Sequence, residues 1–111
     1  MLDLFGYKRR KTSVAQIGDT PLGGDFPIRI QSMANVSTMD TQASVDQAAR
    51  IIDAGADYVR FTAQGVREAA NLQHIHAGLC RLGYHIPLVA DIHFSPKVAE
   101  EALLHVEKVR I

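Results

Sequence analysis

The 111-residue sequence is poor in cysteine, and Cys80 is its only one. A single thiol cannot form a disulfide within the chain, nor can it build a thiolate cage for zinc or an iron–sulfur cluster. The chain alone is therefore not expected to hold such a cofactor. A reducing, cytoplasmic setting fits this composition best.

Net charge and long apolar runs are also lacking. The 12 basic and 12 acidic residues cancel, so no overall field favours nucleic acid or an anionic membrane surface as a partner. The basic run from Lys8 to Lys11 precedes no apolar stretch of the kind found in signal peptides, and nowhere do about 18 apolar residues follow one another. We expect no nucleic-acid and no membrane partner, and any anion recognition must be local.

From residue 28 onward, short apolar runs alternate with segments of helical periodicity. The predicted strands are Ile28–Met33, Asp57–Thr62, Pro87–Ile92 and Val106–Ile111. The first predicted helix begins near Asp40 or Thr41 and ends at Gly55. The second runs over about residues 65–82, and the third runs from the cap Ser95 through Leu104. Strands joined by crossover helices are parallel as a rule.

Four parallel strands fit either a doubly wound sheet or half of an eight-stranded barrel. Arg60, Asp91 and Arg110 lie at strand ends, where a barrel mouth hydrates them but a helix-covered sheet cannot. The glycine-rich phosphate loop of dinucleotide folds is absent after the first strand, where Asn35–Thr38 stands instead. The sequence therefore predicts the N-terminal half of a (β/α)8 TIM barrel over residues 28–111.

Residues 1–27 are predicted to form a tail and a β-hairpin ahead of the barrel. Their turn signals are Gly18–Pro21 and Gly23–Asp25, and the hairpin could cap one end of the main fold. Because Val106–Ile111 would be an unpaired edge strand, we expect the 111-residue chain to self-associate.

Two arginines in strands are the strongest candidates for function. An arginine such as Arg60 inside an apolar strand needs a partner, which could equally be an internal carboxylate such as Asp91 or a bound anion. Arg110 lies in a later strand, and the pair would suit a diphosphate that needs its charge neutralised.

Three further residues are candidates at the same strand ends. Asp91 and His93 lie two apart, so their side chains share a face of the strand end. They could be catalytic, bind a divalent metal or pair with the arginines, and we favour a positioning role. Asn35 follows the first strand, where an amide could bind phosphate oxygens or merely shape a turn.

Outside the strand ends, the expectations are structural. His74 and His76 lie two apart on one helix and cannot chelate together, so we expect both to face solvent. Cys80 is expected to be a small core or boundary residue.

Four segments in this order resemble the 4-hydroxy-3-methylbut-2-enyl diphosphate synthase family. They are Pro27–Asn35, Gly55–Arg60, Ile86–Phe94 and Lys108–Ile111. The resemblance runs from about Thr12 to the last residue. The stretch Thr62–Gly65 with the long second helix is similar to the plant-type and some bacterial members that carry an extra inserted domain.

The resemblance implies a barrel that binds 2-C-methyl-D-erythritol 2,4-cyclodiphosphate. It also implies a C-terminal domain, absent here, with a [4Fe-4S] cluster that receives electrons from flavodoxin or ferredoxin. Arg60 and Arg110 would contact the diphosphate, and Asp91, His93 and Asn35 would line the barrel mouth. Since half of the barrel and the cluster ligands are missing, the chain alone is expected to be inactive.

Two alternatives stay open. A pterin-diphosphate transferase, similar to dihydropteroate synthase, also has an anion site at the mouth of such a barrel. A non-enzymatic half-barrel would keep the fold without the chemistry.

Overall fold

The computed structural model describes residues 10–93 and 95–111, so the start of the predicted tail and Phe94 lie outside the described residues. In this range the chain forms one sheet of four parallel strands in sequential order. The strands are β1 (Gln31–Met33), β2 (Tyr58–Ala63), β3 (Leu88–Ile92) and β4 (Lys108–Arg110).

Three helices connect the strands: α1 (Thr41–Asp53), α2 (Val66–Arg81) and α3 (Pro96–Ala102). Of the two candidate caps, Asp40 is the one that caps α1, because its side chain accepts a hydrogen bond from the Ala43 backbone N–H at 3.1 Å. Gly55 and Gly83 follow α1 and α2 with φ of 112° and 89°, a conformation that ends a helix at little cost only in glycine. None of the three has the length and apolar character needed to cross a bilayer.

All three helices pack on one face of the sheet. The main core joins strand residues such as Val59 and Phe61 to Val45 of α1, Leu72 of α2 and Val98 of α3. A doubly wound sheet would have helices on both faces, whereas a barrel has them only outside. The chain thus has the topology of four consecutive strands of a (β/α)-barrel with the three helices between them, as predicted.

The segment before β1 covers one end of the opposite, inner face. Ala15 and Leu22 form a single antiparallel bridge through two backbone hydrogen bonds of 2.7 and 2.9 Å, so the predicted hairpin has minimal pairing. Its Ile17 is buried against Tyr58 and Val89, residues near the starts of β2 and β3. This segment therefore closes the inner face at the end opposite the strand C-termini.

Several predicted elements are longer than the observed ones. β1 lacks the predicted residues 28–30, and Ile28 and Ile30 are exposed. α3 ends at Ala102, and Leu103 and Leu104 are exposed. These apolar residues lie beside the described sheet and helices rather than inside their core.

Candidate functional site

The predicted residues of β2, β3 and β4 meet at the C-terminal rim of the inner face. Asp91 lies opposite Thr62 of β2 and Arg110 of β4 in the strand register. Arg60 lies two residues before Thr62 in β2 and therefore points to the same face. The parallel register therefore places one carboxylate between two guanidinium groups.

Asp91 is the centre of this rim, with only 3% of its surface exposed. Its Oδ1 accepts a hydrogen bond from Nη1 of Arg110 at 2.8 Å. Its Oδ2 lies 3.7 Å from Nε of Arg60 and 3.8 Å from Nε2 of His93. A buried carboxylate requires such partners, because an unpaired charge is strongly disfavoured away from water.

Arg60 is paired electrostatically but not fully hydrogen-bonded. The 3.7 Å separation from Asp91 is an ion pair but is too long for a hydrogen bond. Its Nε is buried and has no hydrogen-bond partner among the described residues, while Nη2 contacts only the soft sulfur of Met33 at 3.2 Å. Arg60 therefore retains donor capacity that an anion could use.

Arg110 is the more accessible cation, with 55% of its side chain exposed against 25% for Arg60. Lys108 lies two residues earlier on β4, with its Nζ 5.9 Å from the centre of the Tyr58 ring. Two arginines and one aspartate leave one net positive charge at the rim, and Lys108 adds a second on the same strand face. The inner face thus carries positive charge although the whole chain is neutral.

Asn35 lies on the same edge but outside the ion cluster. The Ala34 backbone N–H donates to the carbonyl of Arg60 at 2.9 Å, which ties the loop after β1 to β2. Asn35 and Thr62 line a polar cavity of about 270 Å³ in this region. The structure thus brings Arg60, Asp91, His93 and Arg110 together, with Asn35 beside them.

Two neighbours of the site were missed by sequence reasoning. Gln47 of α1 contacts Asn35, and Met33 contacts Arg60. Gln47 belongs to a helix with no sequence signal that it faces the rim. The contact of Met33 could have been predicted, because alternate residues of a strand share a face and Met33 lies on the inner face of β1.

His74 is exposed as expected, whereas the expectation for His76 holds only in part, since 36% of its side chain is exposed. His76 is half-buried, with Nε2 at 2.9 Å from Oε1 of Glu107 and Nδ1 at 3.6 Å from the sulfur of Cys80. Glu107 also accepts from the Leu88 backbone N–H at 2.8 Å, so this cluster links α2 to the starts of β3 and β4. Its position away from the rim makes it structural.

The residues present do not fit an iron–sulfur cluster. The chain has one cysteine, and the described part contains no group of three histidine, cysteine or acidic side chains that could hold a metal. Asp91 and His93, considered above as metal ligands, instead pair with each other and with arginine.

A parallel sheet with helices on only one face, and with basic side chains at the C-terminal ends of its strands, is typical of a (β/α)-barrel protein. Such barrels place their functional sites at that end of the strands. The model of the GcpE TIM-barrel domain matches residues 12–111. The chain belongs to this family.

Similar proteins carry one name, 4-hydroxy-3-methylbut-2-en-1-yl diphosphate synthase (flavodoxin). A relative from Porphyromonas gingivalis is 98% identical over the whole chain, and one from Parabacteroides distasonis is 69% identical over 96% of it. A more distant one from Protochlamydia amoebophila is 48% identical over 94% of the chain. The chain spans 19%, 18% and 16% of the lengths of these relatives.

Proposed function

We propose that this chain forms one wall of the substrate site of a 4-hydroxy-3-methylbut-2-en-1-yl diphosphate synthase. The substrate would be 2-C-methyl-D-erythritol 2,4-cyclodiphosphate, bound through Arg60 and Arg110, with Asp91, His93 and Asn35 lining the mouth. The observation that carries the proposal is the pair of arginines held on either side of one buried carboxylate, in a chain whose relatives bear the synthase name.

In this proposal Asp91 keeps the two guanidinium groups at the rim while no substrate is bound. Its single charge leaves them incompletely neutralised, and the buried Nε of Arg60 lacks a hydrogen bond within the described residues. A diphosphate would supply the missing charge and acceptors, because guanidinium groups form strong, directional bonds to phosphate oxygens. The chain's own contribution is thus binding and charge neutralisation.

The reductive ring opening would depend on parts of the protein outside these 111 residues. A [4Fe-4S] cluster held there would supply the electrons for the reaction, and the relatives' names favour flavodoxin over ferredoxin as the donor. We expect a cytoplasmic setting, as the single free cysteine suggests.

Nothing in the comparisons favours the two alternatives. The matching family model and the relatives described above all belong to the synthase. No observation supports a pterin-diphosphate transferase or a non-enzymatic half-barrel.

Removing either arginine tests the proposal in a full-length synthase that contains this segment. We expect Arg60→Ala and Arg110→Ala each to weaken substrate binding by about 1.5–3 kcal/mol, the contribution of a hydrogen bond to a charged group. Titration calorimetry with the cyclic diphosphate measures this directly. Arg50→Ala, at an exposed position near the end of α1, is the matched control and should bind as the wild type does. Wild-type affinity in both the Arg60→Ala and the Arg110→Ala variants would refute the proposal that these arginines bind the diphosphate.

We also propose that the 111-residue chain alone self-associates and does not turn over substrate. Its two outer strands have only one neighbour each within the described sheet, and its residues do not fit a cluster.

A further inference from the structure

The loop between β1 and α1 is held in place by side chains of both neighbouring helices. Asn71 of α2 donates to the Thr38 carbonyl at 2.6 Å, and Ser44 of α1 donates to the Ser37 carbonyl at 3.0 Å. The Thr38 hydroxyl donates to the Thr62 carbonyl at 2.6 Å. The loop that carries Asn35 is therefore fixed relative to β2.

Gln47 holds the start of this loop by hydrogen bonds from two backbone N–H groups, and these bonds determine the orientation of its side-chain amide. The backbone N–H groups of Asn35 and Val36 point to one Gln47 side-chain atom at 2.9 and 3.3 Å. Backbone N–H groups only donate, so that atom must be the acceptor Oε1. The other atom of the amide is then the Nε2 donor.

The orientation of Gln47 determines that of Asn35. Nε2 of Gln47 lies 2.6 Å from a side-chain atom of Asn35. Two amino groups at that distance would repel each other, so the Asn35 atom must be its carbonyl oxygen Oδ1. Asn35 is therefore obliged to present its amino group, Nδ2, away from Gln47.

The Asn35 amino group is available for a ligand. The residue is exposed, and within residues 10–93 and 95–111 no hydrogen-bond partner contacts Nδ2. Asn35 lies at the edge of the polar cavity that Thr62 also lines, one residue after the backbone contact to Arg60. A ligand oxygen that binds in this cavity next to Asn35 would thus meet the Asn35 amino group as a donor, although the carboxylate-bearing Glu68 also lines the cavity.

We propose that Gln47 is a positioning residue that locks Asn35 as a hydrogen-bond donor to an oxygen of the phosphorylated substrate. This inference rests on the proposed function. Ionised phosphate oxygens only accept hydrogen bonds, so an Asn35 amide turned the other way would place its carbonyl oxygen against them. The orientation of one side chain by another thus selects for a hydrogen-bond acceptor, such as a phosphate oxygen, beside Asn35.

Gln47→Glu tests the proposal because it keeps the shape of the side chain and removes its donor, while it also adds one negative charge. The carboxylate still accepts from both backbone N–H groups but cannot donate to Asn35, whose amide must turn over. In the full-length synthase we expect the Kd and KM for the cyclic diphosphate to rise about tenfold or more, with kcat changed by less than about twofold because the lost contact acts in binding. The thermal midpoint should stay close to that of the wild type.

A double-mutant cycle with Asn35→Ala separates positioning from other effects. Asn35→Ala alone should weaken binding to a similar degree, and adding Gln47→Glu to it should produce no further change. A further loss in the double variant would mean that the new charge or a fold change is responsible, and would overturn the proposal. Normal binding by either single variant would overturn it as well.

Gln42→Glu is the matched control, since it adds the same charge to α1 at a residue that donates to Asp46. We expect wild-type binding there, and a loss as large as that of Gln47→Glu would overturn the proposal. The arginine variants are measured beside this cycle. If they weaken binding while the cycle shows no coupling, the positioning role fails and the proposed function stands. If neither arginines nor Asn35 matter, the proposed function itself fails.

Discussion

At the scale of single residues, Tyr84 links the chain just after α2 to α1 by hydrogen bonds to the carboxylate of Asp53. Its hydroxyl donates to both carboxylate oxygens of Asp53 at 3.0 Å, which joins the chain after α2 to the end of α1. This hydrogen bond, followed by burial and the charge of Asp53, raises the pKa of Tyr84 above 10.0. A raised pKa means that the folded state holds the proton more tightly, so this stabilisation is present below pH 10.0 and is lost as pH rises through the folded-state pKa.

We expect Asp53→Ala to lower the pKa of Tyr84, because the variant removes both the acceptor and the negative charge. The difference between the ultraviolet absorbance titrations of each protein and its Tyr84→Phe variant isolates this residue. Asp46→Ala, an exposed aspartate on the same helix, is the control and should leave the Tyr84 titration unchanged. An identical Tyr84 curve with and without Asp53 would contradict the assignment.

The site shows how far residue-level reasoning extends. The charge of Arg60, Asp91 and Arg110 in otherwise apolar strands was enough to place all three on the inner face, because a barrel mouth can hydrate them and a helix-covered face cannot. The choice between an internal and an external partner for Arg60 could not be made, since it depends on the register of β2 against β3. Gln47 was beyond prediction because its contact depends on the path of a loop.

At the scale of secondary-structure elements, α1 and α2 approach closely at Gly78. A Cβ built on this glycine would lie 2.8 Å from Cγ2 of Val45. Val45 is 5% exposed, and its branched side chain has little freedom to turn within a helix. The two helices therefore require the absence of a side chain at this position.

We expect Gly78→Ala to destabilise the fold by up to about 2 kcal/mol, because overpacking of about 1–3 kcal/mol opposes a helix-propensity gain of about 1 kcal/mol. Chemical unfolding of the full-length protein measures the change. In a Val45→Ala background the clash is gone, so the same substitution should become neutral or stabilising. Destabilisation of equal size in both backgrounds would contradict this packing account.

The element types predicted for residues 28–111 agree with the structure, but their ends and faces agree less well. Leu82 has the spacing of the α2 core face, yet it caps the helix and is 60% exposed. Gly83 turns the chain immediately afterwards, so the helical period no longer applies there. Periodicity thus predicts an element's interior, whereas its ends depend on turn geometry and neighbours outside the window.

At the scale of the whole molecule, the four strands form a sheet with two outer edges. All three residues of β1 are exposed, as is Arg110 at the end of β4. Exposed apolar side chains lie beside both edges, Ile30 at 60% and Ile111 at 93%. Such edges favour pairing with another strand.

We expect the 111-residue polypeptide to self-associate, with β4 of one copy beside β1 of another. Two copies joined twice in this way would close a ring of eight parallel strands, the number found in (β/α)8 barrels. Sedimentation velocity over a range of concentrations should show dimers or larger species. A variant with Ile30→Lys and Ile111→Lys should shift towards monomer, because charges at strand edges oppose edge pairing. A monodisperse wild-type monomer at every concentration would contradict the prediction, and it would mean that the segment around Ile17, which covers one end of the inner face, is enough to keep four strands separate.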